Sequence, residues 1–182
     1  MKVSYRPARV FAMQLLYAME IAGVTAGEAL PGVLESQPLH AEQKKYGMKL
    51  VDLVQAHREE LDDNIKTAAA HWDIERMASL DRIILRIAMV ELSYVPEIPM
   101  KVAITEAVQI AAKYSTDNSD SFVNGLLTGF MRNRGMVVTE SKEKKDAQGK
   151  MDETYLRWHC CFRGPDRVRT HDGSHGQLLG LW

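Results

Sequence analysis

The sequence predicts an all-α protein of about seven helices, and three observations support this fold class. Nearly every periodic segment in residues 1–135 repeats its apolar side chains at spacings of three and four, which is typical of amphipathic helices. The same range contains no convincing run of alternating apolar and polar residues. The pair Asn124-Gly125 lies inside a helical pattern rather than between two strand-like runs, so it does not indicate a hairpin.

Length and composition favour a soluble globular protein with one main domain. The 182 residues are 46% hydrophobic and 26% charged, which is ordinary for that class. No apolar run approaches the roughly 20 residues needed to span a bilayer, and the first residues are not followed by the apolar block of a signal peptide. The cysteines, Cys160 and Cys161, are adjacent and cannot frame a secreted disulfide protein. We therefore expect a cytoplasmic protein without a membrane segment.

The distribution of charge limits any nucleic-acid contact to part of the surface. The net charge is −1, which argues against a uniformly basic nucleic-acid binder. Residues 1–19 nevertheless carry Lys2, Arg6 and Arg9 and no acidic residue, so this end of the chain is locally basic. A nucleic-acid surface would therefore be a local patch rather than a whole face.

Start and stop signals define the helices in order. The first helix begins near Pro7, which needs no N–H donor in the first turn, and ends before Gly23. Thr25 with Glu28 fits a capping box that starts a short second helix, and Ser79 caps the fourth. The third segment is long enough to divide into two helices. The predicted spans are 7–22, 25–36, 40–69, 80–94 and 99–114, with a last helix from the loop before Phe122 to Arg132 or Arg134.

The first helix has apolar residues on both sides. Opposite its main apolar face lies a strip of Arg6, Val10, Met13 and Tyr17, where a solvent-facing side would usually be charged. The strip indicates either a contact surface for another molecule or a central helix that is buried on both sides. The sequence leaves these two interpretations equally open.

Two ionisable residues lie among apolar ones. Glu91 belongs to the apolar face of the fourth helix, which is predicted to be the central helix of the core. A buried carboxylate has to be paired or hydrogen-bonded, so we interpret Glu91 as a structural acceptor. His57 is solitary near the apolar face of the third segment, and no partner spacing supports a metal site, so it is also interpreted as structural.

The stretch Phe122-Val-Asn-Gly-Leu-Leu follows a loop rich in Ser, Asp and Asn. Asp117 or Ser119 fits an N-cap, and first-turn amide donors favour anions such as phosphate. Phe122 falls at the edge of the apolar face, beside Asn118 and two glycines that permit close approach. An aromatic residue in this position is suited to stacking on a base. The alternative, that Phe122 belongs to the core, is the more common outcome for an apolar stripe.

No constellation in the sequence indicates catalysis or a cofactor. Paired carboxylates, a Ser–His–Asp set and a phosphate loop are not found, so we predict a non-enzyme without a cofactor.

From Glu140 onward the chain is charged and then loses regular period, which predicts a disordered tail over 140–182 beyond a domain of residues 1–139. His171 and His175 with the vicinal cysteines do not match a zinc spacing, so no metal is expected.

Four motifs, taken in order, resemble the NusB family of transcription antitermination factors over about residues 4–135. Four such motifs in the same order are more specific than any one of them. The motifs are Arg6-x-x-Arg9 leading to Gln14-Leu-Leu-Tyr17, then Asp81-Arg-Ile-Ile-Leu-Arg-Ile-Ala-Met-Val-Glu-Leu92, Ile98-Pro-Met-Lys-Val-Ala-Ile-Thr-Glu-Ala-Val108, and Phe122-Val-Asn-Gly-Leu-Leu127.

The resemblance implies a fold, a function and two surfaces. The fold would be two small helical bundles packed together. The function would be binding of a boxA-type single-stranded RNA together with the ribosomal protein NusE, within the RNA polymerase elongation complex, in support of ribosomal RNA operon transcription. Some members of the family self-associate, so a homodimer is also an option. The implied RNA-binding residues are Arg6, Arg9, Lys113, Asn118 and Phe122, and the implied NusE-facing residues are Tyr17, Glu75 and Asp81.

The chain departs from the family pattern at three places. Ser4, Tyr5 and Pro7 thin the arginine-rich start of the family, so a weaker salt-dependent affinity for RNA is expected. Asn118 stands where an acidic residue is common. The segment after about residue 140 has no counterpart in the family and resembles translated non-coding sequence, so we hypothesise read-through, a frameshift or a misannotated coding sequence.

Two other functions remain open from the sequence. The first is a stand-alone relative of the helical N-terminal domain of RNA cytosine methyltransferases, since the residues after 139 are too few for the Rossmann-type catalytic domain of such an enzyme. A helical scaffold that binds only protein is the second alternative. Salt-dependent binding to an RNA oligomer separates this scaffold from an RNA-binding factor.

Overall fold

The computed structural model describes residues 4–69 and 77–136, all within the unit Met1–Thr139. These ranges form seven α-helices and contain no β-strand, which confirms the predicted all-α fold class. The helices are α1 (Arg6–Ala22), α2 (Ala26–Ser36), α3 (Ala41–Ala56), α4 (Arg58–Ala68), α5 (Ser79–Tyr94), α6 (Met100–Tyr114) and α7 (Ser119–Asn133).

Local signals set the ends of the first two helices as the sequence predicts. Gly23 follows α1 with a φ of 66°, in the left-handed region, and its N–H donates to the Met19 carbonyl at 3.0 Å. Before α2, the Thr25 hydroxyl accepts the Glu28 N–H while the Glu28 carboxylate accepts the Thr25 N–H at 2.8 Å. The predicted capping box is therefore present.

The long third segment divides at His57, which lies between α3 and α4. The His57 ring stacks on Tyr94 with the ring centroids 4.0 Å apart, and its Nδ1 is 3.5 Å from a carboxylate oxygen of Glu60. Tyr94 also donates to Glu60 at 2.6 Å. His57 thus has the structural role that its solitary position predicts.

A close approach of backbones fixes α3 on α1. A Cβ added to Gly47 would lie 2.5 Å from Phe11 Cδ1 and 2.9 Å from the Ala8 carbonyl oxygen. Both distances are shorter than van der Waals contact, so a side chain at position 47 would push the helices apart. The segment of α1 between Ala8 and Phe11 is therefore held tightly, and this segment carries Arg9.

Helix α5 is the central helix, as predicted. It packs against α1, α3, α4, α6 and α7, and every residue from Ile83 to Glu91 is buried. Helices α1–α3 and helices α4–α7 form two small bundles that meet at α5, which confirms the two-bundle architecture. The N-cap of α5 is Ala78, and Ser79 begins the helix without a capping hydrogen bond, so the prediction that Ser79 is the cap is wrong.

The strip on α1 is partly a contact surface and partly buried core, so each of the two interpretations that the sequence left open holds for some of its residues. Val10 and Met13 are 5% and 3% exposed, so this part of the helix is buried on both sides. Tyr17 is 38% exposed and still offers a contact surface. The strip is therefore core at its two middle positions and surface at both ends, since the Arg6 side chain is 47% exposed.

Within the two described ranges, no helix is long and apolar enough to cross a membrane. The same ranges hold no group of three or more His, Cys, Asp and Glu side chains arranged to bind a metal ion. The histidines and cysteines of the last segment, and the boundary predicted at residue 139, lie outside the described residues. The predictions for that segment stay predictions.

Candidate nucleic-acid interface

Arg6 is an exposed cation at the start of α1. Its side chain is 47% exposed, and its Nε and Nη2 each donate to one oxygen of Glu106 at 2.8 Å. Nη2 also donates to the side-chain oxygen of Gln109. The hydrogen bonds with Glu106 raise the pKa of the Arg6 guanidinium, and the same bonds lower the pKa of the Glu106 carboxyl. Arg6 thus reaches the surface with its charge balanced by a carboxylate.

The face of α6 that meets Arg6 also carries Lys113. Glu106, Gln109 and Lys113 are spaced three and four residues apart, so they share one helix face over about 10 Å. Lys113 is exposed in the last turn, and its Nζ lies 5.1 Å from the centroid of the Tyr114 ring. Glu106 and Gln109 were not predicted as site residues, although their helical spacing from Lys113 places them on the same helix face.

The loop after α6 brings Asn118 to the surface. Asn118 is exposed, occupies the N-cap position of α7 and has a φ of 68°, in the left-handed region that asparagine tolerates better than most residues. Its side chain makes no capping hydrogen bond. The prediction that Asp117 or Ser119 is the cap is therefore wrong, and the Asn118 amide is not consumed by the helix end.

A buried hydrogen-bond chain holds this loop against α5. The Ser119 hydroxyl donates to Asp81 Oδ2 at 2.9 Å and lies 2.9 Å from the Thr116 hydroxyl, and the Ser119 N–H donates to the Thr116 carbonyl at 3.1 Å. Ser119 is 2% exposed and Asp81 is 5% exposed. The expectation that Asp81 faces NusE does not fit this placement, because the carboxylate is enclosed and anchors the loop that carries Asn118.

Phe122 lies on the next turn of α7. It is half-buried, packs against the edge of the core, and its N–H donates to the Asn118 carbonyl at 3.1 Å. A Cβ on Gly125, on the same helix face, would meet open space, whereas a Cβ on Gly129 would lie 3.7 Å from the Ala68 carbonyl oxygen. Gly125 therefore leaves room beside the ring, while Gly129 serves the packing of α7 on α4. Phe122 combines contact with the core and partial accessibility.

Two N–H groups in the first turn of α7 are used within the chain. The Ser119 N–H donates to the Thr116 carbonyl, and the Ser121 N–H lies 2.6 Å from a carboxylate oxygen of Asp120, while the Phe122 N–H makes the first intrahelical bond to the Asn118 carbonyl. Asp120 also adds negative charge at this helix end. This geometry gives no support to the anion preference that was predicted for the start of the helix.

Arg9, one turn after Arg6, lies in the core. Its side chain is 4% exposed, its Nε donates to the two oxygens of Glu91 at 2.8 and 2.9 Å, and the Tyr46 hydroxyl donates to the same carboxylate. Arg9 is thus the partner that a buried Glu91 was predicted to require. The expectation that Arg9 meets phosphates does not fit this placement, because the guanidinium is enclosed by protein.

The residues expected at a protein partner differ in placement. Tyr17 is 38% exposed on α1, and Ile21, one turn later on the same face, is 61% exposed. Ile21 was not predicted as a contact, although its spacing of four from Tyr17 extends the strip. Asp81 is buried as described above, and Glu75 lies outside the described residues.

Comparison with known proteins assigns the chain to a family. The model of the NusB family matches residues 6–132. The chain belongs to the NusB family. The transcription antitermination protein NusB of Myxococcus xanthus is 40% identical over 126 residues, which cover 67% of this chain and 90% of that protein. The protein of the same name from Bdellovibrio bacteriovorus is 44% identical over 124 residues, with the same two coverages. Both relatives are named for transcription antitermination and not for an enzymatic activity.

Solved structures of the NusB family share the fold. Thermotoga maritima NusB has a TM-score of 0.66 at 28% identity, covering 72% of this chain and 93% of that one. A chain in the crystal structure of the antitermination factors NusB and NusE in complex with dsRNA has a TM-score of 0.64 at 28% identity, covering 70% and 96%. The NusB-like architecture predicted from the sequence is therefore confirmed.

Proposed function

We propose that this NusB-family protein binds a boxA-type single-stranded RNA together with NusE, joins the RNA polymerase elongation complex, and supports transcription of ribosomal RNA operons. It does so without catalysis and without a cofactor, in the cytoplasm, where bacterial transcription takes place. The observation that carries the proposal is the likeness of 70% of this chain to a chain from a structure that contains NusB, NusE and RNA.

Accessible side chains at the start of α1, at the end of α6 and around the start of α7 supply the contacts that a single-stranded RNA requires. Arg6 and Lys113 offer positive charge for phosphates, the Asn118 amide offers a donor and an acceptor for a base edge, and Phe122 offers a ring for stacking. Helices α6 and α7 pack on each other, and Arg6 reaches α6 through Glu106, which supports one shared surface. Arg9 contributes through the core pair with Glu91 rather than by meeting a phosphate.

Tyr17 is the described residue that we assign to NusE, and Glu75 is assigned with it. The exposed edge formed by Tyr17 and Ile21 suits a protein contact, because interfaces are enriched in aromatic and apolar side chains at their centre. A homodimer would use the same edge. Sedimentation over a range of protein concentrations, with and without NusE, distinguishes these uses.

Fluorescence anisotropy of a labelled boxA-type RNA tests the RNA surface. We expect NusE to tighten binding of the unmodified protein and Phe122→Ala to weaken it by about 1–3 kcal/mol, the stacking free energy of one base. Phe122→Leu is the matched control, because leucine keeps an apolar side chain against the core and removes only the aromatic face. The two variants should lose similar affinity while Phe122→Leu retains the melting temperature.

Failure of the unmodified protein to bind the RNA at low salt, even with NusE present, would overturn the proposal. In that case binding of NusE alone would favour the helical scaffold as the function. If Phe122→Leu binds as tightly as the unmodified protein, RNA binding stands but stacking on Phe122 does not.

A further inference from the structure

We propose that Glu106 competes with an RNA phosphate for Arg6, and that Arg9 receives the carboxylate when RNA displaces it. The inference rests on the proposed RNA-binding function and deepens it, because it names a residue that limits affinity and gives the buried Arg9 a part in binding. Neither Glu106 nor this use of Arg9 follows from the sequence motifs.

Glu106 occupies the donors that a phosphate would use. The Nε and Nη2 groups of Arg6 form two parallel hydrogen bonds, each 2.8 Å long, with the two carboxylate oxygens of Glu106. Carboxylates and phosphates accept this same fork of guanidinium donors. Because the Arg6 side chain is 47% exposed, a phosphate can approach it, but two-point binding along that edge requires Glu106 to leave.

Displacement of Glu106 would be costly if the carboxylate had no second partner. The Glu106 side chain is only 17% exposed, and a poorly solvated charge without a partner is unfavourable. Arg9 lies on the other side of the same carboxylate, with its Nη1 3.9 Å from Glu106 Oε2. A small side-chain rotation would bring these atoms into hydrogen-bond distance.

Arg9 has donors to spare for this role. Its Nε, and not the Nη1 that faces Glu106, donates to Glu91, and its Nη2 is buried and has no hydrogen-bond partner among the described residues. Glu91 also accepts the Tyr46 hydroxyl, so it keeps a donor when Arg9 is shared. From the surface inward, Arg6, Glu106, Arg9 and Glu91 alternate in charge, and each charge lies within 4 Å of the next.

The first test is a double-mutant cycle on RNA affinity with Glu106→Gln and Arg6→Ala. Glutamine keeps the shape of Glu106 and removes its charge, so we expect RNA affinity to rise about threefold or more, in line with the strength of an exposed ion pair. In the Arg6→Ala background the same substitution should give less than half of that gain, because no competition remains. A purely long-range electrostatic effect would give equal gains in both backgrounds and would overturn the competition.

Glu59→Gln is the matched control for net charge. Glu59 is an exposed residue of α4, and α4 begins beside Glu20, about 20 Å along α1 from Arg6. We expect this variant to bind RNA as the unmodified protein does. A gain as large as that of Glu106→Gln would mean that overall charge, and not the local contact, sets the affinity.

The second test concerns Arg9. Arg9→Lys keeps the positive charge and removes the guanidinium fork, so RNA affinity should fall in the unmodified background and change less than twofold in the Glu106→Gln background, where no charge has to be received. Equal losses in both backgrounds would overturn the role of Arg9, and melting temperatures identify a variant that does not fold.

If the unmodified protein binds no RNA, the proposed function itself fails. If it binds and Arg6→Ala weakens binding while the first cycle gives equal gains, only this inference fails.

Discussion

Arg6 and Arg9 lie one turn apart on α1, and each meets a glutamate from a distant helix, yet the two ion pairs are physically different. The Arg6 pair with Glu106 is at the surface, with the arginine side chain 47% exposed, whereas the Arg9 pair with Glu91 is in the core, with side chains 4% and 1% exposed. Exposed pairs contribute about 0–1 kcal/mol, because water and salt screen them. Removing one partner of a buried pair costs about 3–5 kcal/mol, because the other charge is left uncompensated.

The difference in burial determines which arginine a ligand can contact. A phosphate can approach Arg6, whose side chain is 47% exposed, but it cannot reach the Arg9 side chain, which is 4% exposed, unless the surrounding residues move. Arg6 and Arg9 belong to the same sequence motif and differ in the helix that lies opposite them. Arg9 meets Glu91, which is in the last turn of α5. Arg6, one turn earlier on α1, lies beyond that end of α5 and meets Glu106 on α6.

The largest expected effect breaks the core pair. Glu91→Gln removes the carboxylate that is hydrogen-bonded to the buried Arg9 and leaves only Glu106, 3.9 Å from Arg9 Nη1, so we expect the free energy of unfolding to fall by about 3 kcal/mol in urea titrations, at the low end for a broken buried pair. The double variant Arg9→Met with Glu91→Leu removes both charges and should recover most of this loss. A loss below about 1 kcal/mol for Glu91→Gln would place the core pair in the same class as the surface pair.

The next largest effect is on the free energy of unfolding at alkaline pH. It arises from the Tyr46 hydroxyl, which donates to the Glu91 carboxylate of the core pair. Burial raises the pKa of the Tyr46 hydroxyl, and the adjacent Glu91 carboxylate raises it further. The folded-state pKa is thus above the unfolded value of about 10, so the contribution to stability is present below pH 10 and is lost as pH rises above it. We expect the unmodified protein to lose about 1 kcal/mol more than Tyr46→Phe between pH 10 and 11, less than the full linkage value because the unfolded tyrosine is only partly ionised near its pKa of about 10. Parallel pH slopes in urea titrations between pH 9 and 11 would contradict this.

The smallest effect concerns acidic pH and the surface pair. The hydrogen bonds from Arg6 lower the pKa of Glu106, so its contribution to stability is present above the unfolded pKa of about 4.3 and is lost as pH falls through the lower folded value. Glu106→Gln should therefore lose less stability than the unmodified protein between about pH 5 and 3, with a difference below about 1 kcal/mol because the pair is solvated. A difference larger than the alkaline effect of Tyr46 would reverse the comparison of the two pairs.

Most of the helices could be predicted because their signals are local. Gly23 after α1 and the Thr25–Glu28 box before α2 act within one turn, and both are present in the structure. The position of the break at His57 was not predicted, because apolar residues continue at helical spacing through Leu61 and Ile65. The stacking of His57 on Tyr94 depends on a residue 37 positions away, which periodicity does not contain.

The candidate site was predictable only in part, because its side chains are defined by contacts between distant segments. The sequence required a partner for Glu91 but could not identify Arg9, 82 positions earlier, as that partner. The burial of Asp81 depends in the same way on Ser119, 38 positions later. Arg6 and Lys113 lie at helix ends that the sequence does predict, but Arg9, three residues after Arg6, is buried, so the helix boundaries alone do not decide which side chain is exposed.

The hydrogen-bond chain from Asp81 through Ser119 to Thr116 forms as the protein folds. The loop before α7 therefore loses its conformational freedom during folding and not during ligand binding. Fixing the backbone of one residue costs about 1–2 kcal/mol, and here that entropy is given up during folding, when α5 and α7 come together. The left-handed conformation of Asn118 is held in place before any ligand arrives. A molecule that docks on Asn118 and Phe122 therefore meets a preorganised surface, and little of its binding free energy is spent on ordering the loop.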